Sequence, residues 1–151
     1  MIVDTVKCYF EVAGTTSSEW RLYLPDGAVN WFAGPNIQEI EMHGTIGGAD
    51  QCNGGTADAS SEFDATHNAG CAFDNDPVGF QWAPSTANAP SWIRYTFPST
   101  VDVVEYTVVS AGNPGPKKIQ LQYWDGASWI TVHDSGDLTW LNTGEMKTFT
   151  V

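Results

Sequence analysis

Apolar and polar residues alternate along most of this chain. Val6, Cys8, Phe10 and Val12 alternate with Lys7, Tyr9 and Glu11, and Trp20, Leu22 and Leu24 with Arg21 and Tyr23. Ile40 and Met42 alternate with Glu39, Glu41 and His43, and Ile93, Tyr95 and Phe97 with Arg94 and Thr96. Val104, Tyr106 and Val108 share a face opposite Glu105 and Thr107, while Ile119, Leu121 and Tyr123 oppose Lys118, Gln120 and Gln122. A period of two predicts strands with one buried face. Asp125-Gly126, between Gln122–Trp124 and Trp129–Val132, predicts a hairpin, because Gly accepts positive φ and Asp tolerates it. A last strand is predicted at 147–151. About eight strands separated by Gly/Pro turns indicate an all-β domain, a sandwich or barrel.

Residues 44–91 break the alternation. They carry Gly47-Gly48, Gly54-Gly55 and many Ser, Thr, Asn, Asp and Ala, the composition of a long loop. Such a loop inside a compact domain is functional or separately pinned. Ala69–Phe73 reads as a short turn of helix within it.

Composition narrows the class. Seven Trp, seven Phe and five Tyr can fill a core in 151 residues, a one-domain length. With 15 Gly, 8 Pro and few Leu, a helical bundle is a poor fit. The formal net charge of −12 argues against partners with phosphate backbones and against anionic membranes, so no nucleic acid and no membrane insertion are expected. The same sign is compatible with a bound cation. No basic start followed by an apolar stretch marks a secretion signal, so synthesis in a cytosol is expected.

Cys8, Cys52 and Cys71 show neither CxxC nor zinc-finger spacing. They are read as three buried or unreactive thiols. The alternative is one internal and one intermolecular bridge in an oxidising setting, compatible with a homo-oligomer. No GxSxG, HExxH or P-loop occurs, and no enzyme activity is expected. His43 and His133 fall at outward strand positions, where a solvated imidazole is the usual case.

The run Ala57-Asp58-Ala59-Ser60-Ser61-Glu62-Phe63 is followed by Ala72-Phe73-Asp74-Asn75-Asp76, Trp82-Ala83, Pro90–Phe97, Pro116–Gln122, Asp125–Trp129 and Gly144–Phe149. In this order and spacing the chain resembles a discoidin domain, also called a coagulation-factor type C or galactose-binding-like domain. Glu19–Leu24 and Ile37–Met42 resemble the extra strand pair that precedes such domains in bacteriophage tail and tail-fibre proteins. The resemblance covers residues 19–151 and leaves 1–18 as an N-terminal strand extension. It implies an eight-stranded antiparallel jelly-roll β-sandwich, with Phe73, Trp82, Trp92 and Trp129 in or near the core.

The resemblance also implies a structural calcium site at the acidic turn, with Asp74 and Asp76 as carboxylate ligands and Glu145 near the late Glu. Asn75 stands where the family has Gly, and Phe80 where it has a hydroxyl. The plainer alternative is an Asx-rich turn stabilised by its own side chains. Aromatic faces stack on sugar rings, and Trp31, Phe32, His67, Asn68, Trp140 and Asn142 lie in predicted loops as candidate carbohydrate contacts. Trp31-Phe32 can instead pack under a loop or against a partner subunit. The functional expectation is a non-catalytic bacteriophage virion module, a tail or fibre component adhering to host-surface glycan. The alternative is a structural or decoration protein of capsid, neck or tail that binds only other virion proteins, with Val6–Val12 adding to a neighbour's sheet edge.

Overall fold

The computed structural model describes residues 15–27, 34–85, 90–111 and 115–151. The expected strand Val6–Val12 lies outside them. Eight strands follow in order: β1 (Thr16–Leu24), β2 (Ile37–His43), β3 (Thr56–Ala59), β4 (Ser91–Asp102), β5 (Glu105–Ser110), β6 (Gln120–Trp124), β7 (Trp129–Asp134) and β8 (Met146–Thr150). They form a five-stranded sheet, β3-β4-β1-β6-β7, and a three-stranded sheet, β2-β5-β8, with every pairing antiparallel. The all-β, two-sheet sandwich expected from the alternation is present. Ala69–Ala72 forms a single 3₁₀ turn at the place expected for a short helix.

The inward residues of both sheets make one core. Trp20, Leu22 and Leu24 of β1 meet Ile93, Tyr95 and Phe97 of β4, Ile40 and Met42 of β2, and Tyr106 and Val108 of β5. Burying these large side chains is the main stabilising term, on the order of 1.5–3 kcal/mol for each aliphatic or Phe side chain fully removed from water. Strand β1 lies at the centre of the larger sheet, paired to β4 on one side and β6 on the other.

The hairpin loop is wider than a two-residue turn. Asp125 and Ser128 close it with a backbone bond of 3.1 Å, Gly126 takes φ +100°, and the Asp125 carboxylate accepts from the Ala127 and Ser128 N–H groups. Those bonds hold the Asp125 carboxyl below its ordinary range.

Four expectations about exposure are corrected. His133 is half-buried against Tyr106 and Phe149, its Nδ1 2.9 Å from the Tyr106 hydroxyl. His43 is buried, not solvated. The 44–52 segment folds back over the end of β2, with Gln51 N–H donating to the Met42 carbonyl and the Asp50 carboxylate accepting from Met42 N–H. Trp92 and Trp129 are half-buried on the outer face of the larger sheet, because Ile93 and its period-two partners take the inner face. The Arg94 guanidinium lies 5.6 Å from the Trp92 ring centroid, and that of Arg21 lies 4.2 Å from the Trp129 centroid. Trp92→Ala should therefore cost only about 1–2 kcal/mol in urea unfolding, below the loss of a fully buried Trp. A loss of twice that would contradict this placement.

Candidate functional site

Strand register brings four connections to one end of the sandwich. Leu24 pairs with Ser91, Ala59 with Ile93, Tyr23 with Gln120 and Gln120 with Asp134, so β1, β3 and β7 leave the larger sheet where β4 and β6 enter. Ser110 at the end of β5 pairs with Ile37 at the start of β2. Backbone bonds stitch this end together. Lys117 N–H donates to Gly27 (3.0 Å), Leu138 N–H to Lys117 (2.8 Å), Gly144 N–H to Ser110 (2.8 Å) and Ala111 N–H to Asn36 (3.3 Å).

The longest connection there, between β3 and β4, is folded into a knot. Trp82 is fully buried and exchanges both backbone bonds with Ile37, at 3.0 and 2.9 Å, while its indole N–H donates to the Ser61 carbonyl at 3.1 Å. Phe63 N–H donates to Ala83 (2.8 Å), and Ala83 N–H to His67 (3.3 Å). Asp64 Oδ1 accepts from the N–H groups of Thr66 and His67 and the Thr66 hydroxyl, and sits 2.8 Å from His67 Nδ1. The Thr66 hydroxyl and then His67 lower the Asp64 carboxyl to about 2, so it is ionised at any working pH. Asn68 caps the 3₁₀ turn, its Oδ1 accepting from Gly70 N–H and its Nδ2 donating to Ala65.

This packing presents rings to water. Phe63 is 64% exposed and Phe80 60% exposed, with Val78, two residues before Phe80, at 86%. Both Phe rings meet the His67 imidazole at close to a right angle, at centroid distances of 5.8 and 6.0 Å. Exposed apolar patches rimmed by polar residues are a feature of binding surfaces.

The acidic turn is part of the knot. Asp76 N–H donates to Asp74 Oδ1 at 2.9 Å, Val78 N–H to Asp76 Oδ1 at 3.3 Å, and Gly79 N–H to the Asp76 carbonyl at 3.0 Å. Asn75 takes φ +60°, a conformation Gly and Asn adopt most readily, which accounts for Asn where Gly is usual. A Cβ at Gly79 would meet Asp76 Oδ2 at 2.6 Å, so a larger residue there would displace the Asp76 carboxylate. The carboxylate facing this turn is not Glu145 but Glu39 of β2. Glu39 is 1% exposed. Its Oε1 accepts from Ile40 N–H, and its Oε2 has no hydrogen-bond partner. Burial, with the Asp74 charge adding to it, pushes the Glu39 carboxyl up to about 7, while the Ile40 and Asp76 N–H groups pull the other way. Glu145 is committed elsewhere: it bonds the Lys147 ammonium at 2.6 Å and accepts from Leu141 N–H. Among the described residues, no three His, Cys, Asp or Glu side chains stand together in a set able to hold a metal. Glu39 and Asp74, with backbone oxygens of the turn, supply hard donors of the kind calcium takes.

The remaining candidates divide. Trp140 is 3% exposed and offers no stacking face; its indole N–H donates to Pro116 at 2.7 Å, and Lys147 lies over its ring. Asn142 is exposed on the connection before β8. Trp31 and Phe32 lie outside the described residues. Asn68 is occupied by capping, and only His67 joins the exposed aromatic group. Cys52 is buried and Cys71 half-buried, both free thiols, and burial raises both above the ordinary thiol range. Cys8 lies outside the described residues.

Sequence reading missed Phe63 and Phe80 as surface residues and Glu39 as a buried one. Two isolated Phe residues in an otherwise polar loop were the available signal for the first pair. None marked Glu39, since alternation places it outward and cannot show that a loop covers it.

The model of the F5/8 type C domain matches residues 56–151, which include β3 to β8 and the whole knot. The chain belongs to this family. F5/8 type C domains are generally non-catalytic binding modules and commonly bind carbohydrates or other ligands. The match begins at β3, yet this F5/8 type C domain also uses β1 as the central strand of its larger sheet and β2 as an edge of the smaller one. Comparison with curated proteins and with solved structures returns no match. No helix among the described residues is long and apolar enough to cross a membrane.

Proposed function

We propose that this domain is a non-catalytic adhesion module of a bacteriophage virion, in the tail or its fibres, that binds host-surface carbohydrate through the end of the sandwich carrying the knot. The observation that carries the reading is the exposed Phe63–His67–Phe80 group on a loop held by Trp82 to β2. Aromatic rings on a pre-formed support bind sugar C–H faces without an ordering cost. The virion context rests on the resemblance of β1 and β2 to the strand pair of phage-borne discoidin-like domains. A glycan array and pull-down on host cells test the reading. Saturable binding, competed by the free polysaccharide, is expected; no binding at high valency by folded protein would sink it.

We also propose a structural calcium on the acidic turn, held by Glu39 and Asp74 with backbone oxygens rather than by Asp74, Asp76 and Glu145 together. Its support is the orphaned Glu39 Oε2 beside the turn. A cation there would neutralise the buried carboxylate and fix the knot.

One feature favours the structural alternative. Strand β8 is an edge of its sheet, with Met146, Thr148 and Thr150 exposed, and an edge of this kind accepts an added strand. Deleting residues 1–12 separates the two roles. Particle assembly lost with glycan binding intact would favour docking through that segment; assembly unchanged removes it.

A further inference from the structure

The knot also carries information about the charge of its ligand. Between Ser60 and Ser85 stand Glu62, Asp64, Asp74 and Asp76, and no Lys or Arg. These carboxylates stand on the same connection as the two exposed Phe rings. Aromatic faces carry negative quadrupole density and attract cations, most strongly those that shed water easily.

The polar groups at the rings are acceptors. All four contacts to the Asp64 carboxylate reach Oδ1, leaving Oδ2 without a partner among the described residues. His67 Nδ1 lies 2.8 Å from that same Oδ1, so the imidazole between the two Phe rings is turned toward the carboxylate. The ionised Asp64 carboxylate favours a cationic ligand over an anionic one.

We propose that the Phe63–His67–Phe80 surface binds an alkylammonium group, packed against the two rings with the Asp64 carboxylate as its counter-ion. This rests on the binding-module reading and names the class of ligand: a saccharide bearing an amine or a choline-like substituent.

The test is titration of the full chain, by isothermal calorimetry and NMR shifts, with choline chloride and with 3,3-dimethylbutan-1-ol, its uncharged isostere. Glucosamine and glucose form a second pair and separate a primary amine on a sugar from a quaternary one. The charged member of at least one pair should bind weakly and saturably, with affinity falling as salt rises. Its neutral partner should not bind. Phe80→Ala and Phe63→Ala should each lower affinity about five-fold, with melting temperatures close to wild type because both rings are more than half exposed. Equal binding of charged and neutral members, no binding of either charged probe, or full binding by both variants would overturn the proposal. Its failure is separable from that of the adhesion reading. Host polysaccharide bound without either ammonium probe leaves adhesion standing alone; ammonium probes bound without any host polysaccharide leave the ligand class standing alone.

Discussion

Trp82→Ala should lower stability by about 3–5 kcal/mol, the cost of emptying a fully buried Trp site. Against a typical total of roughly 5–15 kcal/mol, that is a fifth or more of what holds a small domain folded. The effect should not be uniform. Trp82 joins the knot to β2 through two backbone bonds, and to Ser61 through its indole N–H. Limited proteolysis should thus cut the variant first between residues 60 and 85, while the two sheets persist. Trp82→Phe keeps most of the packing and loses the indole bond, so it should cost about 1 kcal/mol from that bond plus a smaller packing loss. Equal protease resistance of wild type and Trp82→Ala would show that the knot is held by something else.

Glu39 carries the second large effect. In chelator, stability should fall as pH rises from about 4.5 to about 7. In that window the unfolded carboxyl, at its ordinary value of 4.5, has released its proton while the folded one retains it, so the native state binds more protons. The loss is complete above about 7 and is on the order of 3 kcal/mol at 1.36 kcal/mol for each unit. Glu39→Gln should remove this slope and be the more stable protein above pH 7 without calcium. Burial lowers His133, which contributes a slope of the opposite sign in the same range, so the difference between wild type and Glu39→Gln isolates Glu39. Calcium should restore wild-type stability above pH 7 and leave Glu39→Gln unmoved. A wild type indifferent to both calcium and pH in this window would contradict the assignment.

The alternation made the strands legible because a sandwich buries one face of each, and period two records which face. It read the inner face of β4 correctly from Ile93, Tyr95 and Phe97. It misread His43 and Glu39, because a strand's outer face can itself be covered, here by the 44–52 segment and the acidic turn. Trp92 and Trp129 failed in the other direction: the discoidin resemblance implied core or near-core positions, while their register set them outside beside Arg94 and Arg21. The candidate site was legible as a loop and not as a surface. Asn68 and Trp140 are polar-capable loop residues that the fold spends on capping and packing. Phe63 and Phe80, which size alone would bury, are exposed, while Ala72, Phe73 and Trp82 of the same connection are buried.

The most direct test of the account is residue-level mapping of where host polysaccharide binds. Amide shifts should be recorded on the full chain titrated with the purified polysaccharide. Perturbations should concentrate at Phe63–Phe80 and on the neighbouring connections at that end of the sandwich. Perturbations confined to the outer face of β1, β4 and β6, around Trp92 and Arg21, would contradict it.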